Sequence, residues 1–305
     1  MHYILTNHAL GKYPSIDLSK DEFVSASIAK QNLLHALAIE EKFHFVLENY
    51  KEFVEGVLQS ALRESLFSEH GWSDGITHLN AANRRLQNLL SIARSYFDQT
   101  SRDLKRIYGR KSKQSAAFEL ARKRERDRSL AYRTMEALRN YGQHCALPIH
   151  GGGSSFTRHQ SDNESAVVAT MELTLNVIEL KSDGAFESKV LLELVALGKT
   201  VNIKPFIRDY VCCLGRIHQQ VRNDMTADLS LWAKAIRDLR QRFATETGSK
   251  DLIGLHMIAE DDQGKLVLEV DMFDKFIERR EMLEKRCINP ETATGCVVAS
   301  ELVPK

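Results

Sequence analysis

Apolar positions recur at helical spacing through most of the first half of the chain. No proline interrupts Ser19 to Leu66, and Val46, Tyr50, Phe53, Val54, Val57 and Ala61 share one face, which predicts one long helix or two in series. The polar, glycine-containing stretch "SEHGWSDG" reads as a turn. Beyond it, Leu79, Ala82, Leu86, Leu89, Ala93, Phe97, Leu104 and Tyr108 mark the buried stripe of a second helix running to Gly109. A third is predicted from about Lys113 to Cys145, with Leu130, Ala131, Met135, Leu138 and Tyr141 as its apolar contacts.

The pattern then changes. "PIHGGGSSFTRHQSDNES", residues 148–165, is a loop by composition. In "AVVATMELTLNVIEL" the residues Val167, Ala169, Met171, Leu173, Leu175 and Val177 alternate with mostly polar neighbours, which predicts a half-buried strand. Its partner is expected either in the preceding segment or in the hairpin "LIGLHMIAEDDQGKLVLEVD", whose Asp262-Gln263-Gly264 forms the turn. Asn202 is placed to cap a helix carrying Ile203, Ile207, Tyr210, Leu214, Ile217 and Val221. A further helix carries Leu229, Trp232, Ile236, Leu239 and Phe243, and a last one runs from about Asp271 to Arg286. The tail "NPETATGCVVASELVPK" reads as loosely ordered, with Val297 and Val298 able to dock. The expected fold class is therefore mainly α (α+β), with a helical region over 1–150 and an α+β region over 151–305, packed together or separate.

Composition narrows the functional classes. At 305 residues and 43% hydrophobic content the chain can bury a large core. A formal net charge of +1 excludes a polycation that coats nucleic acid indiscriminately, so any basic surface is local. The N-terminus lacks a basic start and apolar core, and no run of about 18 apolar residues occurs, so a soluble, cytoplasmic protein with no membrane span is expected. Cys145, Cys212, Cys213, Cys287 and Cys296 form no CxxC pair and are odd in number, which suits reduced thiols.

Several motif fragments lack what their chemistry needs. "LGKT" at 197–200 resembles the end of a phosphate-binding loop, but Glu193 stands where that loop requires glycine. Glu41 and His44 form one E-x-x-H, and no second copy completes a di-iron bundle. Adjacent Cys212 and Cys213 on a helix point about 100° apart, which suits packing rather than a shared metal. No metal or cofactor is expected. Basic residues cluster in "RDLKRIYGRKSK" and "ARKRERDR", where they form either a track for phosphates or, with Asp103, Glu119, Glu125 and Asp127 interleaved, a solvated helical hairpin.

One stretch carries chemistry of its own. In "EALRNYGQHCALPIH", residues 136–150, Arg139, Asn140 and His144 fall within the last turns of a predicted helix. Asn140 and His144, four apart, lie one above the other, so the amide can orient the imidazole, while Arg139 reaches round beside a helix-loosening Gly142. An arginine followed at this spacing by a histidine also occurs by chance, as at Arg63 and His70, but there the next residue is Glu64, which competes with a phosphate for the guanidinium. The bland alternative is that Arg139 and His144 hydrogen-bond helix-terminal carbonyls.

"RNYGQH" resembles the R-x(4–6)-H motif of the HEPN domains (higher eukaryotes and prokaryotes nucleotide-binding), helical bundles whose arginine is commonly followed by a polar residue such as asparagine. The resemblance covers roughly one helix and agrees with the helical first half. It implies a metal-independent endoribonuclease, acting as a homodimer whose two motifs meet in one composite cleft, in a defence or toxin setting. His144 is then the general base or acid on the ribose 2′-hydroxyl or leaving 5′-oxygen, a task suited to imidazole with its ordinary pKa of about 6.5. Arg139 holds the scissile phosphate, and Asn140 positions one of the two. DNA, lacking the 2′-hydroxyl, is not cut. His150 is a further imidazole near the site. The strand segment and hairpin lie outside a minimal HEPN bundle, and the rival class is a non-catalytic interaction protein that binds a nucleotide or a protein partner.

Overall fold

The computed structural model describes residues 1–7, 14–67, 71–161, 164–250 and 252–294. Helix dominates, with two small antiparallel sheets, as a mainly α (α+β) chain requires. The chain divides into two compact units, residues 1–41, 99–116 and 221–288 in the first and 42–98, 117–220 and 289–305 in the second. Both units draw on residues before and after 150.

In the first unit, β1 (His2–Asn7) lies between β2 (Ser15–Leu18) and β6 (Leu255–Glu260), and β7 (Leu266–Asp271) completes the order β2-β1-β6-β7. The predicted hairpin is β6–β7, and Gly264 adopts φ 74°, the left-handed conformation its turn needs. The beginning of α1 (Lys20–Phe67) supplies Phe23, Leu33 and Ile39 to this unit's core. Ser19 and Glu22 cap each other's backbone N–H at its start, at 3.2 and 2.7 Å. The later part of α7 (Lys204–Thr247) and α8 (Lys275–Arg286) close the core, and Arg222 donates two hydrogen bonds to buried Glu40 at 2.9 and 2.6 Å.

The second unit holds the rest of α1, most of α2 (Trp72–Tyr108), most of α3 (Lys113–Arg128), α4 (Leu130–His144), α5 (Val177–Ser182), α6 (Ser188–Leu197) and the start of α7. Its sheet has the order β3-β4-β5, formed by Gly151–Ser161, Glu164–Asn176 and Thr200–Asn202. Phe43, Tyr96, Phe97, Tyr132, Tyr210 and Ile217 are all almost fully buried here. His218 stacks on Phe43 with ring centroids 4.0 Å apart and shares a 3.1 Å hydrogen bond with the Tyr96 hydroxyl. Asn202 caps α7 as expected, its side chain accepting from the Lys204 N–H at 3.0 Å.

Four expectations are corrected. The 148–165 segment is largely strand, because β3 pairs residue for residue with β4 from Gly151↔Thr174 to Ser161↔Glu164. Its glycines permit close strand approach, since a Cβ at Gly152 would sit 3.0 Å from the Glu172 carbonyl oxygen. The single helix expected from Lys113 to Cys145 breaks at Ser129, whose hydroxyl accepts the Tyr132 N–H at 3.1 Å and starts α4. The two helices expected after Asn202 are one, since nothing between Val221 and Leu229 stops the ladder. The last helix begins at Lys275, Asp271 remaining in β7. Val297, Val298, Cys296 and His70 lie outside the described residues.

No described helix is long and apolar enough to cross a membrane. The described cysteines are all free thiols, and burial pushes the Cys213 thiol up to about 11.

Candidate functional site

Helix α4 carries the arginine, asparagine and histidine singled out above, and its burial pattern fixes how they point. Ala131, Tyr132, Thr134, Met135, Ala137, Leu138 and Tyr141 are buried, which leaves Arg139 at the edge of the packed face and Asn140 and His144 exposed. Arg139 lines a narrow crevice of about 110 Å³ against α2, where Gln87, Leu90 and Ser91 meet Gly142 and Gln143.

At the exposed rim, Arg139 Nη1 donates to Asn140 Oδ1 at 3.0 Å. Its Nε is buried without a partner, and it makes no ion pair among the described residues. A neutral amide thus holds a guanidinium that no carboxylate among the described residues pairs with. That is the arrangement an anion-binding arginine needs.

His144 is the last residue of α4 and makes no hydrogen bond among the described residues. Asn140 therefore orients the arginine and not the imidazole, contrary to the expectation from their spacing of four. His144 lies five positions beyond Arg139, an angular offset of about 140°. His144 does not line the arginine's crevice. Neither side chain bonds a helix-terminal carbonyl; the last turn closes through the Cys145 N–H on the Tyr141 carbonyl at 2.8 Å, so end-capping does not account for them.

The end of α4 is held by groups far away in sequence. Asn83 on α2 accepts the Ile149 N–H at 2.8 Å and donates to the Ile149 carbonyl at 2.9 Å, clamping the segment that follows the helix. Gln87 donates to the Gly142 carbonyl at 3.3 Å. The buried Tyr141 donates its hydroxyl to Asp183; burial first and that bond second push the phenol's pKa up. His150, a second imidazole in the sequence, is half-buried with its ring centroid 6.0 Å from that of Tyr141. Its Nδ1 accepts the Asn176 N–H at 3.4 Å, and burial pulls its pKa down against the opposing pull of Glu179 and Asp183. Asn83, Gln87 and Asp183 had no signal in the sequence, because each reaches the helix across 42 to 66 residues.

The other candidates resolve without a site. Glu41 pairs with Arg279 at 3.6 Å and His44 with Glu48 at 3.7 Å, and among the described residues no three potential metal ligands converge. Part of the basic charge in the two runs is paired, and one of the interleaved acids is engaged from elsewhere. Arg106 approaches Asp103 at 3.8 Å, Arg122 meets Glu119 at 3.1 Å, and Glu125 is gripped by Arg216 at 2.7 and 2.9 Å. Comparison with protein-family models, with curated proteins and with solved structures finds no match for the chain.

Proposed function

We propose that the chain is a metal-independent endoribonuclease of HEPN type that acts on RNA as a homodimer. The observation that carries the reading is the guanidinium of Arg139, held by neutral Asn140 with no ion pair among the described residues, about one and a half helical turns from an exposed His144. In the reaction, the ribose 2′-oxygen forms a bond to phosphorus as the bond from phosphorus to the 5′-oxygen breaks. One proton leaves the 2′-hydroxyl and one reaches the departing 5′-oxygen. His144 moves one of these protons, and Arg139 stabilises the charge gathering on the phosphate oxygens.

The offset of about 140° between the two side chains favours a composite site, with His144 of one copy meeting the phosphate held by Arg139 of the other. A defence or toxin role is what the family resemblance adds. The test is cleavage of RNA in the presence of chelator by the parent, Arg139→Ala and His144→Ala, with DNA of the same sequence as control. Loss of activity in both variants, at unchanged melting temperature and with DNA uncut, is expected. Equal cleavage by all three removes the site and leaves a non-catalytic partner-binding protein, while dependence on added metal removes the mechanism.

A further inference from the structure

A second pocket lies on the opposite face of α2 from the Arg139 crevice. It is a cavity of about 350 Å³ between the C-terminal part of α1 and the first turns of α2, within the size range of small-molecule sites. Gln59, Ser60 and Arg63 reach it from α1, and Thr77, His78 and Arg85 from α2.

Three features mark it as built rather than incidental. His78 is only 8% exposed, lines the cavity, and has its Nε2 buried without a hydrogen-bond partner. A buried unpartnered imidazole nitrogen is costly unless something fills the space beside it. Arg85 makes no ion pair or hydrogen bond among the described residues, and its guanidinium lies over Gly56, where an added Cβ would come within 2.6 Å of Cζ and Nε. Glycine in the interior of a long helix disfavours that helix relative to alanine, so its absent side chain here has a use: it makes the bed for the guanidinium. Asp74, the acid on the rim, is occupied by the Gly71 N–H at 3.2 Å, a cap on the start of α2.

We infer that this pocket binds the phosphate group of a small phosphomonoester, with Arg85 and His78 as its principal ligands and Arg63 at its mouth. The unpaired Arg85 guanidinium, the buried His78 imidazole and the Ser60 hydroxyl line one cavity with Arg63 beside them, and donors from two helices suit a tetrahedral oxyanion better than a planar carboxylate. The volume left beside a phosphate accommodates a body of sugar size. The site is independent of the nuclease reading, because it uses none of the residues on α4.

The test is calorimetric titration of the full chain with inorganic phosphate, ribose 5-phosphate and ribose, in the parent, Arg85→Met, His78→Phe and Gly56→Ala. Phosphate and ribose 5-phosphate bind the parent and ribose does not. Arg85→Met and Gly56→Ala each weaken binding by about tenfold or more, as loss of a charge-assisted hydrogen bond implies, and His78→Phe weakens it as well. Gly56→Ala is the most telling, since alanine favours the helix and the melting temperature should hold or rise while affinity falls. No binding of phosphate at about 10 mM, or binding that Arg85→Met and Gly56→Ala both leave unchanged, overturns the assignment.

Discussion

Replacing Asn140 with aspartate tests the role given to the arginine without removing any catalytic group. The substitution is nearly isosteric, and the new carboxylate oxygen stands where Oδ1 now accepts from Arg139 Nη1 at 3.0 Å. Two unit charges about 4 Å apart attract by about 1 kcal/mol in water and about 4 kcal/mol at an effective dielectric of 20. Asn140 is exposed and Arg139 half-buried, so the attraction falls near the lower end, roughly 1–2 kcal/mol after screening. That energy stabilises the free protein slightly and is set against the incoming phosphate. Cleavage of a short fluorescent RNA in chelator should therefore show kcat/KM reduced by about 5- to 30-fold, at about 1.4 kcal/mol per tenfold. The melting temperature should be unchanged or slightly higher. Because the competitor is a charge at the surface, raising the salt should weaken the added ion pair and narrow the gap between variant and parent. Parent-like kcat/KM in Asn140→Asp, with Asn140→Ala equally unaffected, would refute the idea that Arg139 meets the phosphate from this crevice.

Two further outcomes follow from the supports of the same helix end. Asn83→Ala leaves the Ile149 N–H and carbonyl buried without partners, so urea unfolding should show a loss of roughly 2–5 kcal/mol, with RNA cleavage falling too as the end of α4 loosens; an unchanged unfolding midpoint would contradict the clamp. His150 has a folded-state pKa below its ordinary 6.5, so the unfolded chain takes up the proton first. Stability should be insensitive to this group above about pH 6.5 and fall as pH drops below it. His150→Asn should remove that part of the acid slope below about pH 6.5, and a variant whose slope equals the parent's would exclude the assignment.

How far the sequence revealed the molecule depends on the range of the interactions involved. The helices were readable because Leu86, Leu89, Ala93 and Phe97 repeat at the period of one face, and each is buried as that period requires. The β6–β7 hairpin was readable from its turn residues. The break at Ser129 had a local signal, a serine three residues before Tyr132, hidden by strongly helix-forming charged neighbours on both sides. The β3 strand was not legible, since a triple glycine reads as loop by composition and becomes strand through its pairing with β4. The first two strands were passed over because both are short and the sheet they join is completed far along the chain, β1 pairing with β6 across about 250 residues. At the candidate site, the proximity of Arg139 to Asn140 was legible from adjacency in sequence. The direction of their hydrogen bond was not, because an exposed amide four residues from an imidazole and one residue from a guanidinium has two partners within reach. The α2 wall of the crevice was likewise invisible, since Gln87 and Ser91 look like ordinary polar positions on an amphipathic helix.

The most direct measurement is activity on mixing two inactive variants. If His144 of one copy works on the phosphate held by Arg139 of its twofold mate, a dimer of one Arg139→Ala and one His144→Ala chain keeps one intact site and one doubly damaged site. Equal mixing with subunit exchange makes about half of the dimers mixed, each with half the sites, so RNA cleavage should recover to about one quarter of the parent rate. Activity no greater than that of the two variants assayed separately, from chains shown to exchange, would contradict the composite ribonuclease site.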